Sequence, residues 1–158
     1  MKSLIVYSSQ TGNTKKLADV CHDTLTGDTD IYHVNEAPEP DSYDLIAVGF
    51  WLQQGKPDPL SMDYLSRIPK GKKIFLFATH AAAKGSDHAT QAMDYAVTLL
   101  KEPTIVGTFS CQGEANPKIL EKAKGKPQPP AWLKDAPQAV GHPDTADMNA
   151  LKQMIKNI

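Results

Sequence analysis

Residues 4–18, LIVYSSQTGNTKKLA, join a short apolar run to an amphipathic stretch through a turn that is rich in hydroxyl groups. The apolar run predicts a buried strand over residues 2–7. The spacing of apolar residues after the turn predicts a helix over residues 13–26 with one face directed at a core. A strand followed directly by a helix is typical of the first unit of an α/β fold.

The turn between these two elements has the properties of an anion site. Unpaired N–H groups and the positive end of a helix dipole meet at a helix N-terminus, where they favour a phosphate. The hydroxyls of Ser9, Thr11 and Thr14 are expected to donate to phosphate oxygens, and Gly12 allows the backbone to approach closely. Neither GKS/GKT nor GxGxxG is present, which excludes a Walker-type site and disfavours a dinucleotide site. The alternative is an N-capped helix after an ordinary turn.

The rest of the chain alternates strands with helices, which implies a parallel sheet with right-handed crossovers. The apolar runs are nearly continuous, as in parallel strands that are covered on both faces. Strands are predicted over residues 30–34, 43–50, 72–79 and 104–111, and helices over residues 59–67, 87–101 and 143–158.

Residues 113–143 form a connection that is longer than a minimal α/β unit needs. They contain a short helical pattern, PKILEKAK, followed by a stretch rich in proline. Because proline is excluded from helix interiors, the second half of this connection is predicted to be extended or turned. Connections of this length are usually functional or mobile.

Composition limits the classes of protein to consider. The chain has 158 residues and a formal net charge of −1, which predicts one domain over residues 1–158 and gives no basic excess for a nucleic-acid partner. No apolar run approaches the ~18 residues of a membrane span, and the N-terminus lacks a signal pattern. Cys21 and Cys111 form no CxxC motif, so we expect two free thiols in a cytoplasmic protein.

The segment LIVYSSQTGNTKKLA closely resembles the phosphate-binding segment of flavodoxins, T/S-x-T-G-x-T after the first strand. Ser9, Thr11, Gly12 and Thr14 match that pattern position by position. The resemblance implies an α/β three-layer sandwich with a five-stranded parallel sheet in the order 2-1-3-4-5. It also implies FMN, with its phosphate held by Ser8, Ser9, Gln10, Thr11, Gly12, Asn13 and Thr14.

The resemblance further implies two loops around the flavin ring, beyond the carboxyl ends of strands three and four. Trp51 is expected to stack on the ring, or else to pack on a neighbouring loop, and Gly55 to permit a peptide flip near flavin N5. The other loop lacks the tyrosine that many flavodoxins place there, which leaves that ring face open or covered by backbone and His80. Trp132 is a second candidate to fold over the flavin. The ring-binding residues predicted in these loops are Phe50, Trp51, Leu52, Gly55, Lys56, Thr79, His80 and Ala81.

Four lysines, Lys15, Lys16, Lys56 and Lys84, are expected near this site. Flavodoxins are typically acidic around the flavin, so positive charge here predicts a less negative reduction potential. If the lysines instead point into solvent, each has little effect.

The favoured function is an electron carrier that shuttles electrons between redox partner proteins. The alternative is an FMN-dependent reductase or oxidase that acts on an organic substrate of the quinone, bilin or porphyrin type. A flavodoxin-like module without flavin is disfavoured by the intact phosphate loop. A receiver-type signalling domain would need an acidic pair where this chain has Ser8 and Ser9. No metal site and no nucleophile–base pair is predicted.

Overall fold

The computed structural model describes residues 1–158 and contains six strands and five α-helices. The strands are β1 (Lys2–Tyr7), β2 (Asp28–His33), β3 (Leu45–Gln53), β4 (Lys56–Pro57), β5 (Lys73–His80) and β6 (Thr104–Gln112). The helices are α1 (Asn13–Thr24), α2 (Pro59–Arg67), α3 (Asp87–Thr98), α4 (Pro117–Lys124) and α5 (Thr145–Lys156). None of the helices is both long enough and apolar enough to cross a membrane.

The main sheet is parallel and follows the order β2-β1-β3-β5-β6. When the two-residue β4 is left out, β5 and β6 become the fourth and fifth strands, and the order is the predicted 2-1-3-4-5. The predicted fold class is therefore confirmed. The order reverses between β1 and β3, and the loops after these strands diverge there to leave a crevice at the carboxyl edge.

Two apolar cores cover the two faces of the sheet, because successive side chains of a strand point to opposite sides. On one face Leu4 and Val6 belong to a cluster with Tyr64 of α2 and residues of α3. On the other face Ile5 and its neighbours pack with Leu17 and other residues of α1 and α5. The result is the predicted three-layer sandwich.

The structure departs from the predicted bounds at the end of β3. This strand continues to Gln53 and turns back as a hairpin, in which β4 pairs antiparallel with it. Gln54 and Gly55 form the turn, with φ angles of 54° and 77°. Positive φ at both central residues is what a tight two-residue hairpin requires, so glycine at the second position favours this turn. β4 was not predicted from the sequence.

The second half of the connection between β6 and α5 also differs from its prediction. Residues Ala131–Ala139 form a 3₁₀ helix with Pro137 inside it, where extended or turned chain was expected. The first half agrees, since α4 covers the PKILEKAK pattern. Asn116 caps this helix, and its side chain accepts a hydrogen bond from the Lys118 N–H.

Candidate functional site

The loop between β1 and α1 presents a row of backbone donors. Within it, the N–H groups of Gln10, Thr11, Asn13 and Thr14 donate to no acceptor in the protein. Gly12 adopts a φ of +91°, which lets the chain turn abruptly into α1. Unpaired donors at the positive end of a twelve-residue helix fit an oxyanion. The structure thus gives the predicted phosphate loop the backbone geometry of an anion cradle.

Several side chains of the loop are engaged within the protein. Ser9 Oγ accepts hydrogen bonds from the N–H groups of Gly12 at 3.0 Å and Lys15 at 3.4 Å. The Asn13 amide donates to the Glu114 carbonyl at 2.9 Å, which joins the loop to the chain after β6. Each hydroxyl that accepts a bond keeps a proton to donate, so Ser9 still suits a phosphate.

Two of the predicted hydroxyl residues have different surroundings. Thr14 is buried, and its hydroxyl forms a 2.9 Å hydrogen bond with that of Thr79. Thr11 is exposed and its side chain makes no hydrogen bond within the protein. Substitution of Thr11 is therefore expected to disturb the fold little.

The phosphate loop forms one wall of a cavity of about 100 Å³, called here the inner pocket. Its other walls come from the ends of β3, β5 and β6 and from α4 and the 3₁₀ helix. Of the predicted site residues, it brings together Ser9, Gln10, Thr11, Asn13, Thr14, Trp51, Leu52, Thr79, His80 and Ala81.

The remaining predicted residues lie elsewhere. Ser8 is buried beneath the loop, where its N–H donates to the Gly49 carbonyl at 3.0 Å. Phe50 lies in the apolar core rather than in a cavity wall. Gly55 and Lys56 line a neighbouring cavity, and Gly12 shapes the turn without lining either space.

A buried aspartate fixes the backbone of Trp51. Asp58 caps α2 by accepting from the Ser61 N–H and Oγ–H at 3.2 and 2.9 Å. The same carboxylate accepts from the Trp51 N–H at 3.3 Å, and the Asp58 N–H donates to the Trp51 carbonyl at 3.0 Å. Trp51 is thus held at the pocket rim by a residue that its own loop supplies.

His80 ends β5 with one ring nitrogen paired and one free. Its Nδ1 lies 2.8 Å from the Ala82 carbonyl, which can only accept, so Nδ1 carries the proton of the neutral ring. Nε2 is buried and has no partner in the protein. Burial lowers the pKa of His80 below its ordinary value, which keeps the ring neutral and leaves Nε2 as an acceptor.

The segment after β6 is fastened across the pocket. The Gln112 amide donates to the Ala81 carbonyl at 3.2 Å, and Asp135 accepts from the Ala83 N–H at 3.1 Å. Gly113 packs so closely that an added Cβ would lie 2.9 Å from Asn13 Nδ2. These contacts bring Trp132 into the pocket wall, as expected of a residue that folds over the site.

A second and larger cavity of about 790 Å³, the outer cleft, adjoins the inner pocket. Five residues line both spaces and are called here the shared wall: Gln10, Trp51, Leu52, Ile119 and Trp132.

The charges of the two cavities differ. Glu114 is the one acidic residue that lines the inner pocket, and no lysine or arginine lines it. The outer cleft is lined by Lys56, Lys122 and Lys126, and by no carboxylate. Positive charge is therefore concentrated on one side of the shared wall.

The expected placement of the lysines holds only in part. Lys56 lines the outer cleft, while Lys15 forms an ion pair with Asp19 at 3.0 Å. Lys84 lies over the Phe109 ring at 4.8 Å and borders a different surface hollow. Lys16 lines none of these three spaces. Lys122 and Lys126, which the sequence analysis did not single out, take their place.

Residues 113–116 and Ile119 also line the inner pocket. The end of the fifth strand, residues 111–115, was expected at the ligand edge, but none of these residues was named as a site residue. The position of residues 113–116 in the chain indicates this placement, because they directly follow β6 and ligands bind beyond the carboxyl ends of parallel strands.

Comparisons with known proteins agree with this geometry. A family model described as flavodoxin domain matches residues 4–156. The chain is 37% identical over 131 residues to the flavodoxin-like domain-containing protein BilS of Clostridioides difficile strain CD3, covering 80% of this chain and 72% of that protein.

Solved structures share the fold at low identity. A flavodoxin of Streptococcus pneumonia TIGR4 superimposes with a TM-score of 0.65 at 16% identity, covering 99% of this chain and 97% of that one. A flavoprotein of Lactobacillus acidophilus NCFM, in complex with FMN, gives a TM-score of 0.54 at 17% identity, covering 69% and 92%.

Proposed function

Because the chain belongs to the flavodoxin domain family, we propose that it binds FMN and transfers electrons between redox partner proteins. The observation that carries this proposal is the row of unpaired N–H groups in the phosphate loop, which opens into a pocket with tryptophans at its wall. FMN, implied by the sequence resemblance, is supported by the family match and by the flavoprotein that holds FMN.

The inner pocket suits the phosphate end of FMN without a cationic side chain. Neutral N–H and hydroxyl donors, together with the dipole of α1, would balance the negative charge of the phosphate. The proposed donors belong to the loop from Ser8 to Thr14. They are the four unpaired N–H groups, the Ser9 and Thr11 hydroxyls, and the one proton that the Thr14–Thr79 hydroxyl pair leaves free.

At the flavin ring, three residues have separate tasks. Trp51 would cover the ring and exclude water, and Trp132 is placed to add a second apolar surface. The free Nε2 of His80 would accept a hydrogen bond from a ring N–H. When bound, FMN supplies one- or two-electron chemistry, while these residues bind it and shape its surroundings.

The same proposal extends to organisation and location. We propose that residues 1–158 form one flavodoxin-like domain, which agrees with a family match over residues 4–156. We also propose a cytoplasmic protein. Cys21 and Cys111 are both free and buried, as suits a reducing compartment.

The phosphate site is tested at Thr11, which is exposed. Thr11→Glu places a carboxylate in the anion cradle, whereas Thr11→Gln adds a side chain of the same length without charge. We expect Glu to abolish FMN retention and Gln to weaken it at most modestly, measured by flavin fluorescence during titration. Equal FMN affinity in Thr11→Glu and the wild type would overturn the proposal, provided that thermal melting confirms folding of both variants.

A second candidate function is an FMN-dependent oxidoreductase that acts on an organic substrate such as a quinone, bilin or porphyrin. The outer cleft favours it, because a cavity of about 790 Å³ adjoins the wall on which the flavin is proposed to lie. Direct NAD(P)H oxidation by the pure FMN-loaded protein would support this candidate. Reduction that depends on a separate reductase would support the carrier.

A further inference from the structure

We infer that the outer cleft is a binding site for a flat organic anion, a conjugated ring system that bears carboxylate or sulfonate groups. The inference rests on the proposed binding of FMN at the shared wall and deepens the second candidate function, because it names the shape and the charge of the ligand that the outer cleft would hold.

Size favours a second ligand in this space. Ligand pockets commonly enclose roughly 300–1,000 Å³. At about 100 Å³ the inner pocket is too small for a whole FMN, so a flavin anchored by its phosphate must extend along the shared wall. The outer cleft of about 790 Å³ reaches beyond that wall to the β3–β4 hairpin and α3.

The charge of the outer cleft selects an anion. Lys122 and Lys126 form no ion pair, and the one lysine of α4 that does, Lys124, lies outside the cleft and pairs with Glu121. Lys56 adds a third positive charge, positioned over the Tyr95 ring at 4.8 Å. Three cations without a carboxylate in a concave wall concentrate positive potential there, although the whole chain carries a net charge of −1.

The other lining groups select a flat body. Trp51, Trp132 and Pro130 contribute ring surfaces, which cover a planar ligand well. Gln54 and Gln91 add amide groups that can donate to or accept from polar substituents. A concave space of this kind fits a small molecule rather than the convex surface of a protein partner.

The test uses FMN-loaded protein and two matched probes that carry no redox chemistry. Naphthalene-2,6-dicarboxylate has the proposed shape and charge, and naphthalene-2,6-dimethanol has the same ring without charge. We expect calorimetry to give about tenfold tighter binding of the dicarboxylate, a preference that weakens as salt is added.

Two double variants remove the same amount of charge from α4 and the residues after it. Lys122→Gln with Lys126→Gln removes charge from the cleft, and Lys118→Gln with Lys124→Gln removes it from outside the cleft. The first should weaken dicarboxylate binding by about tenfold and leave the diol unchanged, while the second changes either affinity by less than about twofold. Thermal melting and FMN titration confirm that both are folded and loaded.

Three results would overturn the inference: equal binding of the two probes, equal losses in the two double variants, or displacement of FMN by the dicarboxylate. Failure of the wild type to bind FMN is a separate result. It would remove the proposed function rather than the charge selectivity of the cleft, which the same probes measure in flavin-free protein.

Discussion

Replacing Asp58 by alanine should cost stability and flavin affinity together, because one carboxylate both caps α2 and holds Trp51. Loss of an N-cap costs about 1 kcal/mol. The substitution also leaves the Ser61 hydroxyl and the Trp51 N–H without their acceptor, and buried unpaired donors cost about 1–3 kcal/mol. We therefore expect the free energy of unfolding to fall by about 2–4 kcal/mol.

Urea unfolding measures this loss. With a slope of about 2 kcal/mol per molar urea, the midpoint for Asp58→Ala should fall by about 1–2 M. The urea midpoint of Asp58→Asn should lie between those of the alanine variant and the wild type. Its amide oxygen can still cap α2, but its NH₂ group replaces one of the two acceptor oxygens that the Trp51 and Ser61 donors use.

The effect on the site is measured by FMN titration. Ordering one freed side chain on binding costs about 0.5–1.5 kcal/mol. If Trp51 loses its anchor, the FMN dissociation constant should therefore rise by about twofold to tenfold. Asp144→Ala is the matched control, because Asp144 caps α5 by accepting from the Asp147 N–H and lines neither cavity. The reasoning is refuted if the two alanine variants lose the same stability and both keep wild-type FMN affinity.

Three further predictions follow from single contacts. Gly49→Ala should lower the free energy of unfolding by about 3 kcal/mol, because the new Cβ would lie 2.1 Å from the Phe77 ring of β5. Gly107→Ala is the control. Its Cβ would lie 3.8 Å from Met154, so the same urea assay should show almost no change. Asp135→Ala should speed limited proteolysis within residues 125–140, because it frees the 3₁₀ helix from the loop after β5, whereas Asp135→Asn keeps the acceptor and should resist cleavage like the wild type. The hydrogen bond with Asp147 raises the pKa of His142 above its ordinary value of 6.5. The pairing therefore stabilises the folded protein fully below pH 6.5, and this stabilisation is lost as the pH rises through the raised pKa. The stability difference between wild type and His142→Gln should therefore shrink as the pH rises above 6.5, and a constant difference would contradict the pairing.

Local sequence signals were sufficient where neighbouring residues decide the structure. The predicted bounds of β1, Lys2–Tyr7, are those observed, and α2 begins at Pro59 directly after its aspartate cap. Proline at the first helical position and an acceptor just before it define a helix start without tertiary help. The parallel direction of the strands also followed from the alternation of strands and helices, whereas their order was implied by the resemblance to flavodoxins.

Side-chain roles in the phosphate loop could not be derived in the same way. From the sequence, the hydroxyls of Ser9, Thr11 and Thr14 were all expected to donate to phosphate. In the structure Thr14 is buried against Thr79, whereas Thr11 is exposed. Residue 79 lies 65 positions away, on another strand, so its contact depends on strand register. The charge of the outer cleft was missed for the same reason, since Lys122 and Lys126 reach it only through the packing of α4.

Local patterns in the sequence predicted the α/β architecture and the loop that forms the anion cradle, because hydrophobic periodicity, proline and glycine act within a few residues of chain. The order of the strands was implied by the resemblance to flavodoxins. Only the tertiary structure decided which surfaces meet at the carboxyl edge of the sheet. It brought the tryptophan of β3 to the same pocket as the one in the proline-rich segment, 81 positions later, and it separated a pocket without lysine or arginine from a cleft lined by three lysines. Those pairings depend on how distant segments pack, and packing is a property of the whole folded chain.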